Sequence, residues 1–208
     1  MKHSKLSALL AAVVIAGCAA PKPAPKPQAA APVDCSVSQE PGCRPAPPNP
    51  FEAFGAKMGA QVDAADGLRQ RAVDAMAGLP AKQRIAQSET RTRVQEFTAA
   101  SGQKQSVKVL DAVAIDLPLA PRARSEHQQA MVAIKDIATL LADARGSASI
   151  QVTVSPADLR ARRVNLKSGT ADTEAGHPVE VRKSADKSVP AGIERFVIQG
   201  AALPGKID

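Results

Sequence analysis

The chain has 208 residues and a formal net charge of +7, with no Trp or Tyr and four Phe. Because sugar rings and unstacked bases are commonly held against aromatic faces, this composition argues against a carbohydrate-stacking cleft and against nucleic-acid binding. The length allows one compact domain with extensions. The basic excess fits either weak attraction to an anionic surface or an ordinary solvated surface.

The first 17 residues have the three parts of a bacterial export signal. Lys2 and Lys5 give a positive start, residues 6–15 are apolar apart from one Ser, and small residues follow. The apolar run is about half of the ~20 residues that a membrane-spanning helix needs. The four residues Ile15-Ala16-Gly17-Cys18 resemble a lipobox, the site at which a bacterial prolipoprotein is cleaved and lipidated. The alternative is an ordinary secretory signal that is cut nearby.

The lipobox resemblance implies that Cys18 carries a diacylglyceryl thioether and an N-acyl group. One acyl chain gives only reversible binding, whereas three chains hold a protein durably on a membrane. In the lipoprotein family, an Asp after the lipidated Cys favours retention in the inner membrane. Ala19 stands there in this chain, so the resemblance favours the outer membrane, with the protein facing the periplasm.

Residues 18–50 are expected to form a tether between the lipidated Cys and the folded part. Ten prolines fall within residues 19–50, and proline favours extended backbone that buries no core. Cys35 and Cys43 lie in this stretch, with a Pro-Gly turn between them. In an oxidising periplasm they can form an intramolecular disulfide, pair with a partner chain or remain free thiols. Two Cys without a nearby His make at best half of a zinc site.

A helical segment is predicted over residues 51–102. Apolar or small residues recur at steps of three and four between Phe51 and Leu79, which places them on one stripe of a helix. The stripe can pair with another chain or pack on its own domain, and the second interpretation is favoured. Pro80 ends this helix, and residues 81–100 are predicted to be helical again.

Residues 106–199 are predicted to form an α+β domain in the order βαβαββ, with two helices on one face of a small sheet. Alternation predicts a strand over 107–119, interrupted at Asp111. Capping and apolar spacing predict helices over 125–145 and 155–168, and His127 is expected at the surface. Further strands are predicted over 149–154, around 179–181 and over 193–199. A polar loop is expected at 170–176 and a frayed tail over 200–208.

This order, after a lipobox and a tether, resembles the OmpA-like peptidoglycan-associated domain. The similarity lies in the capped helix, in the strand over 150–154 and in the basic helix that contains Leu159-Arg160-Ala161-Arg162-Arg163. Members of that family hold the diaminopimelate carboxylates of peptidoglycan with an Asp after the second strand and an Arg further on. Asp158 and Arg162 or Arg163 are loose counterparts. The family's Gly-His-Thr-Asp is missing, and Val154-Ser155-Pro156-Ala157 stands in its place.

The only concentrated cluster of chemically distinctive side chains in the sequence is a group of basic residues between 160 and 167. The candidate binding residues for an anion or a partner are Asp158, Arg160, Arg162, Arg163 and Lys167. The alternative is that the basic side chains are the solvated face of a helix.

No catalytic role is predicted for any residue. After the signal only His127 and His177 could act as a histidine base, neither lies in a recognisable motif, and there is no P-loop or dinucleotide turn. We therefore expect no enzymatic activity, no cofactor and no metal. The sequence favours a non-enzymatic lipoprotein that binds or tethers another envelope component, either peptidoglycan or an envelope protein. The alternative is an accessory subunit of a secretion, conjugation or pilus assembly that associates through the helix at 51–79.

Overall fold

The computed structural model describes residues 49–119, 125–161 and 167–207. The lipobox at Cys18, the tether cysteines Cys35 and Cys43, and the basic residues Arg162 and Arg163 lie outside the described residues. Within the described ranges, no helix is both long enough and apolar enough to span a bilayer.

The fold is α+β, as predicted, and the described part of the chain contains three α-helices and a seven-stranded mixed sheet. The sheet order is β4-β5-β3-β6-β2-β1-β7. Strand β3 is parallel to β5, and β1 is parallel to β7, while the other neighbours are antiparallel. In chain order the elements are α1 (Pro50–Met76), a short 3-10 helix (Ala81–Gln83), β1 (Ser88–Ala99), β2 (Lys104–Pro118), α2 (Ser125–Arg145), β3 (Ala148–Val154), α3 (Pro156–Arg160), β4 (Gly169–Asp172), β5 (Pro178–Ala185), β6 (Ile193–Gly200) and β7 (Lys206–Ile207).

Helix α1 packs within the same compact unit as the sheet. It begins with a proline at its first position, and the Asn49 side chain accepts a hydrogen bond from the Phe51 N–H at 3.0 Å. Its apolar stripe is buried against α2, β1 and β2. The Asp66 carboxylate accepts a 2.8 Å hydrogen bond from the Thr90 hydroxyl of β1. The favoured interpretation, a helix packed on its own domain, agrees with this structure. Pairing with another chain through the same side chains would require α1 to leave the sheet.

The second half of the predicted helical segment is a strand. Residues 88–99 form β1, which pairs antiparallel with β2, so the segment over 51–102 is α-helical only as far as Met76. The physical reason lies in the side chains. Thr90, Thr92 and Val94 are β-branched and alternate, which favours a pleated strand. The sparse apolar residues that suggested a helix carry less information than this alternation.

Two other local predictions are wrong because short edge strands carry no apolar pattern. The expected polar loop at 170–176 contains β4, all four of whose residues are exposed, and β4 is held by backbone pairing to β5. The expected frayed tail contains β7, which pairs with Thr98 and Ala99 of β1.

The second predicted helix of the domain is shorter than expected, since α3 ends at Arg160 rather than near 168. From β2 onward the described order therefore has two more strands than βαβαββ.

Strand β2 is continuous, although its pattern breaks at Asp111. The pairing with β1 shifts there, from Arg91 opposite Ala112 to Thr92 opposite Leu110. Asp111 is the extra residue of a β-bulge, which lets one strand bend instead of dividing into two.

We predict that α1 is required for the stability of the unit. Ala65 is fully buried in the core, and Ala64 beside it is exposed. Because a buried carboxylate without a partner is costly, Ala65→Glu should lower the free energy of unfolding by about 3 kcal/mol or more. The matched control Ala64→Glu should change it by less than about 0.5 kcal/mol. Urea denaturation measures both variants, and equal effects would show that α1 does not pack as described.

Candidate binding groove

Asp158, one of the candidate binding residues, is buried and hydrogen-bonded within the fold. It is 6% exposed, and its carboxylate accepts hydrogen bonds from the Ser155 hydroxyl at 2.6 Å and from the Gly192 N–H at 2.9 Å. Ser155 is the N-cap of α3, and its hydroxyl oxygen accepts from the Asp158 N–H at 3.2 Å. Asp158 thus joins the start of α3 to the turn before β6.

The other candidate residues lie apart from this buried carboxylate. Arg160 is exposed at the end of α3. Lys167 is exposed and lines a groove between α2 and the β4–β5 hairpin. The structure therefore divides the predicted basic helix and does not bring Asp158 and Lys167 to one groove. No group of three His, Cys, Asp or Glu side chains that could hold a metal ion occurs among the described residues.

The groove has a volume of about 600 Å³, a size typical of small-ligand sites. Its floor is apolar and comprises Ile150 of β3 and the half-buried Val179 and Val181 of β5. The wall that α2 contributes consists of Lys135, Ala138 and Thr139, and the opposite wall is β4 with the residues that precede it.

Small residues on β4 keep the groove open. Gly169 pairs with Val181 and Ala171 pairs with Val179, and directly paired residues share one face of a sheet. Gly169 and Ala171 therefore lie on the groove side. Gly169 has a φ of +147°, a conformation that other residues rarely adopt, and a Cβ built there would have no neighbour within 4 Å.

A hydrogen bond between the hairpin and the helix closes one end of the groove. The Thr173 hydroxyl donates to the Asp143 carboxylate of α2 at 2.7 Å, and the Thr173 N–H donates to the His177 carbonyl at 2.8 Å. Lys135 lies eight residues before Asp143, about 12 Å back along the helix. The two lysines of the groove, Lys135 and Lys167, thus lie toward its other end.

Sequence reasoning identified Lys167 and missed the rest of the groove. Lys135 and Thr139 are four residues apart and share one side of α2, but many polar helical positions show such spacing. Strand β4 makes these two residues neighbours of Lys167, and the sequence pattern predicts a loop at the position of this strand.

His127 is buried rather than at the surface, since only 2% of it is exposed. Its burial lowers the pKa of the imidazole from the usual value of 6.5, because the charged form is poorly solvated there. The helical spacing in the sequence indicates this burial. His127 precedes the buried residues Ala130 and Ile134 by three and seven positions and so lies on the same stripe of α2.

Comparisons of the chain with protein-family models, with curated proteins and with solved structures found no match.

We predict that Asp158 acts in stability. Asp158→Ala leaves the Gly192 N–H without its acceptor and should lower the free energy of unfolding by about 1–3 kcal/mol. Asp172→Ala, at an exposed position of β4, is the control and should have an effect below about 0.5 kcal/mol. If Asp158→Ala unfolds at the same urea concentration as the parent chain, the carboxylate does not hold α3 in place.

A second prediction concerns pH. The folded chain holds His127 neutral to a lower pH than the unfolded chain does, so the unfolded state binds more protons once the pH falls below about 6.5. Stability should therefore decline as the pH falls from about 6.5 toward the lowered pKa. His127→Gln should flatten this part of the pH profile. Urea midpoints between pH 7 and pH 5 test this, and unchanged slopes in His127→Gln would contradict it.

Proposed function

We propose that this chain is a lipid-anchored protein of the bacterial envelope whose α+β unit binds or tethers another envelope component. The observation that carries the proposal is the order of three features along the chain. A lipobox-like Ile15-Ala16-Gly17-Cys18 comes first, a stretch with ten prolines follows, and a compact unit begins next to Pro50.

The length of the tether limits how far from the membrane the α+β unit can reach. At about 3.1 Å per residue, the proline-rich residues between Cys18 and Pro50 can extend to about 100 Å. An anchor of this length lets the unit contact components well away from the membrane that holds Cys18. The proposed membrane is the outer one, with the protein facing the periplasm, because Ala19 and not Asp follows Cys18.

Peptidoglycan is the first component to test. The capped helix, the strand over 150–154 and the basic residues after it support this choice, because their sequence resembles OmpA-like domains, although the strand order differs from the expected one. Asp158, the loose counterpart of the family's ligand-binding Asp, already accepts hydrogen bonds from Ser155 and Gly192. We therefore propose that any peptidoglycan contact uses the exposed side chains of Arg160 and Lys167 and the groove that Lys167 lines, rather than the Asp158 carboxylate.

The binding function is tested in two steps with the full chain. Purified peptidoglycan sacculi should retain the protein, and the double variant Arg162→Glu/Arg163→Glu should be released at lower salt. Crosslinking in cells, followed by mass spectrometry, tests an envelope protein as the partner, including a subunit of a secretion, conjugation or pilus assembly. The absence of both sacculus retention and crosslinked partners would overturn the proposal.

The anchor gives a separate prediction. Cys18→Ser removes the only sulfur to which the lipid can be attached under this proposal, so the protein should leave the membrane fraction. Cys35→Ser is the matched control and should remain in that fraction. Fractionation of cells with immunodetection measures both variants. A Cys18→Ser chain that stays with the membrane would show that another feature anchors it.

A further inference from the structure

We propose that the groove between α2 and β4 binds short peptides through their terminal carboxylate, with small aliphatic side chains against its floor. This inference rests on the proposed binding function and names a ligand class for it. It is carried by three features of the groove: two cations that form no ion pair with another described residue, an apolar floor lined by small residues, and a closed end that limits length.

The cations are Lys135 and Lys167. Both are exposed, both line the groove, and neither forms an ion pair with another described residue. Seven other described cations form ion pairs with acidic side chains. Arg195, for example, holds Asp116 with two hydrogen bonds of 2.8 and 2.9 Å. The ammonium groups in the groove are therefore available to a carboxylate from a ligand, which would accept charge-assisted hydrogen bonds.

The floor suits aliphatic side chains. Ile150, Val179 and Val181 present an apolar surface, and Gly169, Ala171 and Ala138 around them project little into the space. Burying small aliphatic groups there removes apolar surface from water on both partners.

The walls suit a peptide better than a bare acyl chain. The hydroxyl groups of Thr139 and Ser168 line the groove and can exchange hydrogen bonds with amide groups. The Thr173–Asp143 hydrogen bond closes the end away from the lysines. From Lys167 to Thr173 there are six residue steps, at most about 20 Å, so an extended occupant has no more than about six residues.

The experiment compares two peptides that differ at one group. The full chain carrying Cys18→Ser, labelled with ¹⁵N, is titrated with N-acetyl-trialanine and with its C-terminal amide. The acid should shift the amide signals of Gly169, Ala171 and Thr139. The C-terminal amide should bind about tenfold more weakly, because hydrogen bonds to a charged group are the stronger ones.

Two sets of variants separate the charge from the floor. Lys135→Gln/Lys167→Gln should weaken binding of the acid about tenfold, whereas Lys108→Gln, at an exposed position of β2, should leave it unchanged. Ala171→Phe keeps both lysines but fills the floor, and its aromatic side chain is compatible with a strand, so it should abolish binding while the rest of the spectrum is preserved.

Three outcomes would overturn the inference. These are equal binding of the acid and its amide, unchanged binding in the double lysine variant, and shifts at the groove caused by decanoate but not by the tripeptide. The outcome for the proposed function is separate. A chain that is anchored and finds its envelope partner but does not bind the tripeptide refutes only the ligand class. A chain that binds the tripeptide but is neither anchored nor partnered refutes the envelope function.

Discussion

The architecture depends on the cover that two long helices provide for one face of a seven-stranded sheet. A helix is about 10 Å across and strands lie about 4.8 Å apart, so each helix covers about two strands. Helix α1 covers β1 and β2, and α2 covers β6, β3 and part of β5. Two helices cannot also cover β4. The groove beside α2 is thus a geometric consequence of a sheet that is wider than its helical layer, and this exposed strip is where ligand-binding groups can face solvent.

The sequence predicted the fold class because its strongest patterns come from buried elements. Strand β3 alternates buried and partly exposed residues along its whole length, and α2 shows apolar residues at helical spacing. The weakly patterned elements were missed. The four residues of β4 are all exposed and are held by the backbone of β5, so their side chains carry no signal. The alternating Thr90, Thr92 and Val94 could have identified β1, but its identity also depends on the distant β2, with which it pairs.

The residues of the candidate groove also include some that the sequence identified and some that it missed. Charge alone marked Lys167, and it does line the groove. The OmpA-like resemblance marked Asp158, but a carboxylate three residues after a Ser N-cap is equally suited to hold the start of a helix, and the hydrogen bonds from Ser155 and Gly192 show that it does so. Lys135 could not be joined to Lys167 without knowing that β4 lies opposite α2. The sequence could therefore indicate the chemical character of single residues, but the sheet order was needed to show which of them line the same groove.

In the function proposed for this protein, the α+β unit works at the end of a lipid-anchored tether. The most direct measurement is the mass of the N-terminal peptide of the protein extracted from bacterial membranes. We expect a chain that begins at Cys18 and carries the added mass of a diacylglyceryl group and one further acyl group. A chain that begins elsewhere, or an unmodified Cys18, would contradict it.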